Sequence, residues 1–175
     1  MLVNGWIIMV HPQFVRQVGA LAAEVVERRN KNPTDYIKKN CTKKLSAIIK
    51  LAFESIPADP SSNVYRLGGT LGKTHSHWFR AKFFQQYRLF FRHGQHQGKK
   101  VLVYAWVNDE DTKRAYGSNT DAYKVFADML AAEDPPTDWA KLLKACEDAA
   151  AHQKSEGNPS LGDRLDRMRN LITPD

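Results

Sequence analysis

Arginine and lysine alternate with apolar residues in two neighbouring stretches near the middle of the chain. Residues 77–84 read HWFRAKFF and residues 86–92 read QYRLFFR. Successive side chains of an extended strand point to opposite faces, so each stretch places its cations on one face and apolar side chains on the other. Burying a guanidinium group without a partner costs several kcal/mol. The cationic faces are therefore predicted to contact water, carboxylates or a bound anion.

Aromatic rings share the cationic face of these two stretches. Alternate positions place the following side chains together: Trp78, Arg80, Lys82, Phe84, Arg88, Phe90 and Arg92. A surface of this kind binds single-stranded nucleic acid, because guanidinium groups contact phosphates and rings stack on bases. In the alternative interpretation the rings are core beneath a second layer of helix, and the long cationic side chains reach water at its edge. The pattern by itself leaves both interpretations open.

The segment that follows these strands combines tyrosines with further cations, namely Lys113, Arg114, Tyr116, Tyr123 and Lys124. A free tyrosine has a pKa of about 10, so it needs nearby cations to act as a base at neutral pH. Tyr123 also lies on an apolar stripe with Phe126, where it could simply pack. Thr120 or Asn119 can cap the helix that contains Tyr123, and Asp121 is a third candidate for that cap. The pattern of this segment is therefore consistent with packing of Tyr123.

Two histidine pairs could suggest a metal site, since His75 and His77 form HxH and His93 and His96 form HxxH. Zinc sites usually add cysteine or carboxylate ligands at fixed spacing, and none lies nearby in the sequence. We therefore predict no metal and no cofactor. A histidine acting as a general acid is the better interpretation of these residues.

Positive charge is concentrated in the middle of the 175-residue chain. The net charge is +7 and the pI about 9.4, and residues 61–117 alone hold 10 Lys/Arg and 3 Asp/Glu. A local basic field suits a polyanionic partner, although a solvated face without a partner is the alternative. No stretch reaches the ~20 apolar residues that span a bilayer. With two cysteines and no signal-peptide pattern, the chain is predicted to be cytoplasmic and away from membranes.

Periodicity predicts an α+β domain. A strand at residues 3–10 is followed by a helix from Pro12 and a second helix from Asn32, which together form a helical hairpin. After a loop come three antiparallel strands, with 100–107 central and its Tyr104 and Trp106 on one face. Helices follow, and all helices are expected against one face of the sheet. We predict one domain over residues 1–150 and a loosely attached extension over 151–175.

Several motifs in this order resemble the YhaV toxin family. They are VNGW with HP shortly after it, DPSSNVYR, RAKF with QQ and YRLFFR, AWVNDEDTKRAYGSNTDAYKVFADML, and PPTDW. The resemblance runs from about residue 3 to about residue 145 and is specific, because separate motifs keep their order. It implies a RelE/ParE-like fold, with an N-terminal strand and helical hairpin packed on a curved antiparallel sheet and C-terminal helices.

The resemblance also implies an activity and partners. It implies the toxin of a type II toxin–antitoxin pair, an endoribonuclease that cleaves mRNA, in many relatives at the ribosome, and so stops translation. The implied partner is a PrlF/SohA-type antitoxin with an AbrB-like fold, and the complex would bind and repress its own operator DNA. Relatives of the RelE type need no metal, because the ribose 2′-hydroxyl attacks the neighbouring phosphate. A non-cleaving ParE-like inhibitor and a plain RNA- or ribosome-binding module are the alternatives.

Such a cleavage requires in-line orientation, stabilisation of phosphorane charge and proton transfer. The resemblance implies a catalytic tyrosine in the segment after the last strand, where Tyr116 and Tyr123 lie. The residues predicted to be catalytic are Arg80, Lys82, Arg88, Arg114, Tyr116 and Tyr123. The residues predicted to bind RNA are Trp78, Phe90, Arg92, Lys113 and Lys124. Arginine suits the charge term because its guanidinium group is always charged and binds phosphate oxygens in pairs.

Overall fold

The computed structural model describes residues 1–173. Its sheet contains five strands: β1 (Leu2–Val3), β2 (Trp6–Val10), β3 (Phe79–Phe83), β4 (Tyr87–His96) and β5 (Lys99–Val107). Their order across the sheet is β1-β2-β5-β4-β3. The predicted antiparallel arrangement of the last three strands is confirmed, and β5 is central as expected.

The sheet is mixed, so the prediction of a fully antiparallel sheet is wrong. Strand β2 runs parallel to β5, with Val10 opposite Tyr104. A parallel pair requires a long connection, and here it contains two long helices followed by β3 and β4. The two helices are α1 (Pro12–Lys31) and α2 (Asn40–Lys50). Helix α2 continues through a π-helical turn, Leu51–Ser55, into the short α3 (Ile56–Ala58).

The second helix begins at Asn40, later than the predicted start at Asn32. The side-chain oxygen of Asn32 accepts hydrogen bonds from the backbone N–H groups of Thr34 (3.2 Å) and Asp35 (3.0 Å). This polar side chain therefore stabilises a turn at the end of α1 instead of capping a new helix, as short polar side chains often do. A 3₁₀ turn, Tyr36–Lys38, separates the two helices.

Helices cover both faces of the sheet, which contradicts the prediction of helices on one face. Helices α1, α2 and α6 (Leu161–Ile172) pack on the first face, around Leu45, Leu89 and Tyr104. Helices α4 (Ala122–Ala131) and α5 (Trp139–Ser155) pack on the second face. The second face also carries large rings, including Trp78 and Phe90, and apolar area on both faces is stabilised only when both are covered.

A β-bulge in the β4–β5 ladder alters the parity of β5. Phe90 is opposite Trp106, whereas the next residue, Phe91, is opposite Tyr104, which leaves one extra residue on β5. A bulge of this kind shifts the alternation of side chains by one position. Tyr104 therefore faces the first core and Trp106 the second, and the prediction that they share a face is wrong.

The C-terminal segment forms α6, and a capping box of Ser160 and Asp163 begins this helix. Leu165 is buried against the core beside α2. The predicted boundary at residue 150 falls inside α5, and the division into a domain and a loosely attached extension stays a prediction; residues 174 and 175 of that extension lie outside the described part. Among the described helices, none combines the length and the apolar character needed to cross a bilayer.

Candidate active site

Two arginines from neighbouring strands bind one tyrosine hydroxyl. The Nε atom of Arg80 lies 2.9 Å from the hydroxyl oxygen of Tyr123, and the Nε atom of Arg88 lies 3.2 Å from the same oxygen. The three residues are 8%, 7% and 7% exposed. Residues from β3, β4 and α4 thus form one partly enclosed polar cluster, called here the arginine–tyrosine cluster.

The strands and a helix cap place these three side chains. Arg80 is opposite Phe90 and Lys82 is opposite Arg88 in the β3–β4 ladder, so Arg80 and Arg88 are diagonal neighbours on the second face. Helix α4 begins beside them, and the Asp121 side chain accepts a hydrogen bond from the backbone N–H of Tyr123 at 3.0 Å. Of the three candidate caps, the N-cap residue is Asp121, and not Thr120 or Asn119.

A third arginine borders the cluster through its contact with Asp121. The guanidinium group of Arg114 forms an ion pair with the Asp121 carboxylate, which also accepts from the backbone N–H of Ala115. The same guanidinium group lies 4.5 Å from the ring centroids of both Tyr116 and Tyr123. Asp121 therefore positions Arg114 and Tyr123 together at the beginning of α4.

The guanidinium groups of Arg80 and Arg88 are held by neutral acceptors. The Nη1 atom of Arg80 donates to the Val64 carbonyl at 3.0 Å. The Nη1 atom of Arg88 donates to the carbonyls of Gln85 (2.8 Å) and Tyr87 (2.7 Å). Within residues 1–173 neither arginine forms an ion pair, and neither Nη2 group has a protein acceptor. Their charge and these donors remain available to an anion.

Asn108 locks the backbone beneath the cluster. Its side-chain oxygen accepts from the backbone N–H of Arg88 at 2.6 Å, and its amide nitrogen donates to the carbonyls of Gln86 (3.1 Å) and Thr112 (2.8 Å). Asn108 is 1% exposed, so these bonds are shielded from water. One side chain thus joins the start of β4 to the turn after β5 and holds Arg88 in place.

The hydrogen-bonding state of Tyr123 restricts its chemistry. A phenol hydroxyl has one proton to donate and two lone pairs to accept with. The Nε–H groups of Arg80 and Arg88 both point to this oxygen, and each nitrogen can only donate. The proton of the Tyr123 hydroxyl is therefore directed to a third group. This arrangement favours Tyr123 as a general acid over Tyr123 as a general base.

The chain matches a known protein family. A family described as "Toxin with endonuclease activity, of toxin-antitoxin system" matches residues 8–147, most of the chain.

The chain belongs to the YhaV toxin family.

Curated YhaV proteins align over most of the chain. Toxin YhaV of Escherichia coli O6:H1 is 42% identical over 149 residues, which are 84% of this chain and 96% of that protein. Ribonuclease toxin YhaV of Escherichia coli K12 is 43% identical over 148 residues, 83% of this chain and 95% of that protein. No solved structure is significantly similar to the chain. The recognition of the YhaV family from sequence motifs is thus confirmed.

Two of the aromatic residues predicted to contact RNA are core residues in this YhaV-family protein. Trp78 and Phe90 are both 0% exposed. The Phe126 ring of α4 lies 4.0 Å from the ring of Phe90 and 5.2 Å from that of Trp78, measured between centroids. The expectation of an open sheet face is therefore wrong, and the alternative of a second helical layer is correct for these two rings, although Phe84, which it also placed in the core, is exposed. Large rings on the second face bury more apolar area under α4 than they would facing water.

Four further residues predicted to be catalytic or to bind RNA are Lys82, Tyr116, Lys113 and Lys124. Lys82 and Tyr116 are exposed beside the arginine–tyrosine cluster, and Tyr116 is 95% exposed. Lys113 pairs with Glu110, and Lys124 pairs with Asp128, so both cations already have a carboxylate. Of the predicted catalytic residues, the fold brings together Arg80, Arg88, Arg114 and Tyr123, with Lys82 and Tyr116 at the edge.

Arg92 has a different environment. Its guanidinium carbon lies 5.5 Å from the ring centroid of Trp78 and 5.0 Å from that of Trp139, and its Nη1 atom donates to the Thr137 carbonyl. Burial lowers the pKa of Arg92 to about 10, and Asp138 partly offsets this shift. Its packing between two indole rings gives Arg92 a structural environment, and its role in RNA binding stays a prediction.

The histidines do not form a recognisable metal centre. The rings of His75 and His77 lie 6.3 Å apart, while His93 packs against Phe79 on the opposite face. Across residues 1–173, no group of three or more histidine, cysteine, aspartate or glutamate side chains is arranged to hold a metal ion. Burial lowers the pKa of His77 and of His93, so their neutral forms are favoured.

A second polar cavity on the other side of the sheet was missed from the sequence. It has a volume of about 510 Å³, and Gln17, Lys44 and Asp109 line it. The Lys44 ammonium lies 3.9 Å from the ring centroid of Tyr87. Burial lowers the pKa of Lys44, and Glu110 partly offsets this shift. Only the tertiary fold brings Lys44 to the acidic turn after β5, so no local pattern could have indicated this cavity.

Proposed function

We propose that this protein is the ribonuclease toxin of a type II toxin–antitoxin pair and cleaves mRNA without a metal ion. The observation that carries the proposal is the shared hydrogen bonding of Arg80 and Arg88 to the Tyr123 hydroxyl. A relative at 43% identity bears the name ribonuclease toxin, which supports RNA as the substrate. Cleavage by the ribose 2′-hydroxyl is the reaction that such a set of cations and one phenol can promote.

Arginine donors stabilise the charge that develops during cleavage. The 2′-oxygen attacks the adjacent phosphorus, and the bond from phosphorus to the 5′-oxygen breaks. Negative charge grows on the two non-bridging oxygens as the pentacovalent state forms. The free Nη2 groups of Arg80 and Arg88 donate to these oxygens, and Lys82, opposite Arg88 on the exposed edge, adds positive charge. The products are a 2′,3′-cyclic phosphate and a 5′-hydroxyl end.

Tyr123 supplies a proton to the leaving group. Since two arginines occupy the lone pairs of its hydroxyl, that hydroxyl donates to the departing 5′-oxygen. Water accepts the proton from the attacking 2′-hydroxyl at the exposed edge of the site, and solvent returns a proton to Tyr123 after each turnover. Arg114, whose guanidinium group packs on the Tyr123 ring, stabilises the transient phenolate.

In the cell, this reaction would remove mRNA and arrest translation and growth in the cytoplasm. Cleavage at the ribosome is part of the proposal, as is neutralisation by a PrlF/SohA-type antitoxin with an AbrB-like fold. The complex would repress its own operon by binding operator DNA through the antitoxin. The net charge of +7 over residues 61–117 supports binding to RNA.

The test compares wild-type protein with Arg88→Ala, and Lys144→Ala serves as a control because its ammonium group pairs with Asp148 on the surface of α5, away from the predicted site residues. Purified proteins are incubated with naked RNA and with programmed ribosomes, and the new ends are mapped. We expect cyclic phosphate and 5′-hydroxyl ends from wild type and Lys144→Ala, and a rate at least about 100-fold lower from Arg88→Ala.

Two other outcomes would replace this proposal. Growth arrest with intact mRNA and DNA damage signals would indicate a non-cleaving, ParE-like inhibitor. RNA or ribosome binding without any new ends would indicate a binding module. Either result, or undiminished cleavage by Arg88→Ala, would contradict the assignment of the arginine–tyrosine cluster as the catalytic centre.

A further inference from the structure

Exposed apolar side chains border the arginine–tyrosine cluster. In residues 1–173, the large hydrophobic side chains with high exposure are Met1, Leu2, Val26, Val64, Phe84 and Tyr116. Val64 is 70%, Phe84 is 54% and Tyr116 is 95% exposed. These three lie in different loops, yet each loop also supplies an atom that contacts Arg80, Arg88 or the bordering Arg114.

Hydrogen bonds and ring contacts connect these loops to the cluster. The Val64 carbonyl accepts from Arg80, and the Tyr116 ring lies 4.5 Å from the guanidinium carbon of Arg114. Phe84 opens the β3–β4 turn, whose Gln85 carbonyl accepts from Arg88. The next carbonyl of this turn, that of Gln86, accepts from the backbone N–H of Arg114 at 3.2 Å. Phe84 and Tyr116 therefore border the same cationic site.

The backbone of Phe84 is unfavourable for its residue type. Its φ angle is +43°, in the left-handed region that glycine and asparagine adopt most readily. The ring is half-exposed, and the aromatic ring closest in sequence, Phe83, lies 5.7 Å away between centroids. Neither the turn nor the core explains a phenylalanine here. An outlier of this kind next to a candidate site favours a role in binding.

We propose that Phe84 and Tyr116 are stacking platforms for nucleobases of single-stranded RNA, next to the phosphate held by Arg80 and Arg88. This inference rests on the proposed function, and it gives the base contacts to different rings from the buried Trp78 and Phe90. Stacking on a ring is tolerant of base identity, because every base has a π face. One side of the Tyr116 ring is backed by the Arg114 guanidinium group, so its other side is free for a base.

The surroundings of the two rings favour RNA over a protein partner. Lys82 is exposed in β3, two positions before Phe84, and the Arg114 guanidinium group packs on the Tyr116 ring. The core of a protein–protein interface is depleted in charge, whereas nucleic-acid grooves combine separate rings with cations. An antitoxin segment on the same surface is the competing occupant.

The experiment measures binding of two strands that cannot be cleaved. One is a mixed-sequence 2′-O-methyl oligonucleotide, and the other has the same backbone without bases. The variants are Phe84→Gly and Tyr116→Ala. The control is Gln97→Gly, which removes a side chain at a similar φ angle (+49°) in the β4–β5 turn. Dissociation constants come from fluorescence anisotropy, and unfolding free energies from denaturant titration.

Loss of a stacking ring should weaken the binding only of the strand that has bases. We expect each platform variant to bind that strand roughly 5- to 150-fold more weakly and to bind the strand without bases as wild type does. Gln97→Gly should match wild type with both strands. Phe84→Gly should be as stable as wild type or more so, because glycine suits the left-handed turn.

Equal affinity of Phe84→Gly and Gln97→Gly for the strand with bases would overturn the inference. The same holds if Phe84→Gly binds both strands normally but loosens the complex with the antitoxin. Arg88→Ala separates the two proposals, since this variant should bind both strands more weakly than wild type does. If Arg88→Ala loses cleavage while Phe84→Gly behaves as wild type, only the stacking inference fails. If Arg88→Ala also behaves as wild type, the proposed function fails.

Discussion

The Nε atom of Arg80 lies 2.9 Å from the hydroxyl oxygen of Tyr123, although 43 positions separate the two residues in the chain. This contact joins the edge strand β3 to the first turn of α4. Arg88 donates to the same oxygen from β4, so both lone pairs of the hydroxyl are occupied. The chemistry proposed for this site therefore depends on hydrogen bonds between three elements of the fold.

Replacing Tyr123 with phenylalanine should remove the proton donor and leave the ring in place. We expect cleavage to fall about 100- to 10,000-fold, the usual contribution of a general acid. Tyr104→Phe is the matched control, because its buried hydroxyl donates to the Ala52 carbonyl on the other face. Both variants should lose a similar free energy of unfolding, about 1–3 kcal/mol, and only Tyr123→Phe should lose activity. Equal rates for the two variants would exclude Tyr123 as the acid.

Lysine in place of either arginine of the cluster should not support full activity. Arg80→Lys and Arg88→Lys keep the charge but lose the planar set of donors that binds Tyr123 and a phosphate together. We expect a rate roughly 10- to 100-fold lower for each variant, measured as the appearance of 5′-hydroxyl ends. Arg28→Lys is the control, since Arg28 forms a surface pair with Glu24. Full activity of the two lysine variants would mean that charge alone matters at this site.

Asn108→Ala should destabilise the protein. It removes the acceptor of the Arg88 backbone N–H and the donor to Gln86 and Thr112, and Asn108 is 1% exposed. Leaving such groups unpaired costs about 1–3 kcal/mol each. Denaturant titration measures the loss. Asn158→Ala, an exposed residue bonded to Glu156, should change stability by less than about 0.5 kcal/mol. Similar results for both variants would contradict the locking role of Asn108.

Stability should fall as the pH drops below 6.5, in part because of His11. Burial lowers the pKa of His11 from 6.5; Asp134 opposes this shift and Arg16 adds to it. The neutral ring also accepts the N-terminal hydrogen bond of α1 from Gln13. A lowered folded-state pKa means that this contribution is present above 6.5 and is lost as the pH falls from 6.5 through the folded value.

The variant His11→Asn should reduce that pH dependence. Asparagine can also accept the bond from Gln13 as an N-cap but does not titrate. We expect the slope of unfolding free energy against pH below 6.5 to be smaller than in wild type, with the remainder due to His77 and His93, whose pKa values burial also lowers. An unchanged slope would show that His11 does not contribute.

Leu165→Ala measures how firmly α6 is attached. Leu165 is 3% exposed and packs against the core beside α2. Loss of a buried leucine costs about 2–5 kcal/mol when the helix unfolds together with the rest of the domain. We expect a cost in this range by denaturant titration. A cost below about 1 kcal/mol would instead support the predicted loosely attached extension, because α6 would open separately.

Much of the fold and of the site was predictable because the relevant patterns are local. Alternation along residues 77–84 and 86–92 correctly placed Arg80 and Arg88 on one face, and the apolar run at 100–107 correctly indicated the central strand. The polar residues 119–121 before an apolar stripe indicated where α4 begins, and the structure selects Asp121 among them as the cap. These features follow from backbone geometry within a few residues, which the order of side chains determines.

Which helices pack on each face of the sheet was decided only by the tertiary structure. Both faces of β4 and β5 carry apolar rings, so parity alone could not tell that α4 and α5 would bury Trp78 and Phe90. The parallel pairing of β2 with β5 and the bulge opposite Phe90 and Phe91 likewise depend on distant segments.

The sequence by itself determined the composition of the site, namely arginines of one parity, a tyrosine after a helix cap, and the order of the YhaV motifs. The tertiary structure decided that Arg80, Arg88 and Tyr123 share hydrogen bonds and that Phe84 and Tyr116 remain exposed beside them. The physical reason is that strand parity is a local property of the backbone. Which rings become core depends on how much apolar area distant helices can bury together.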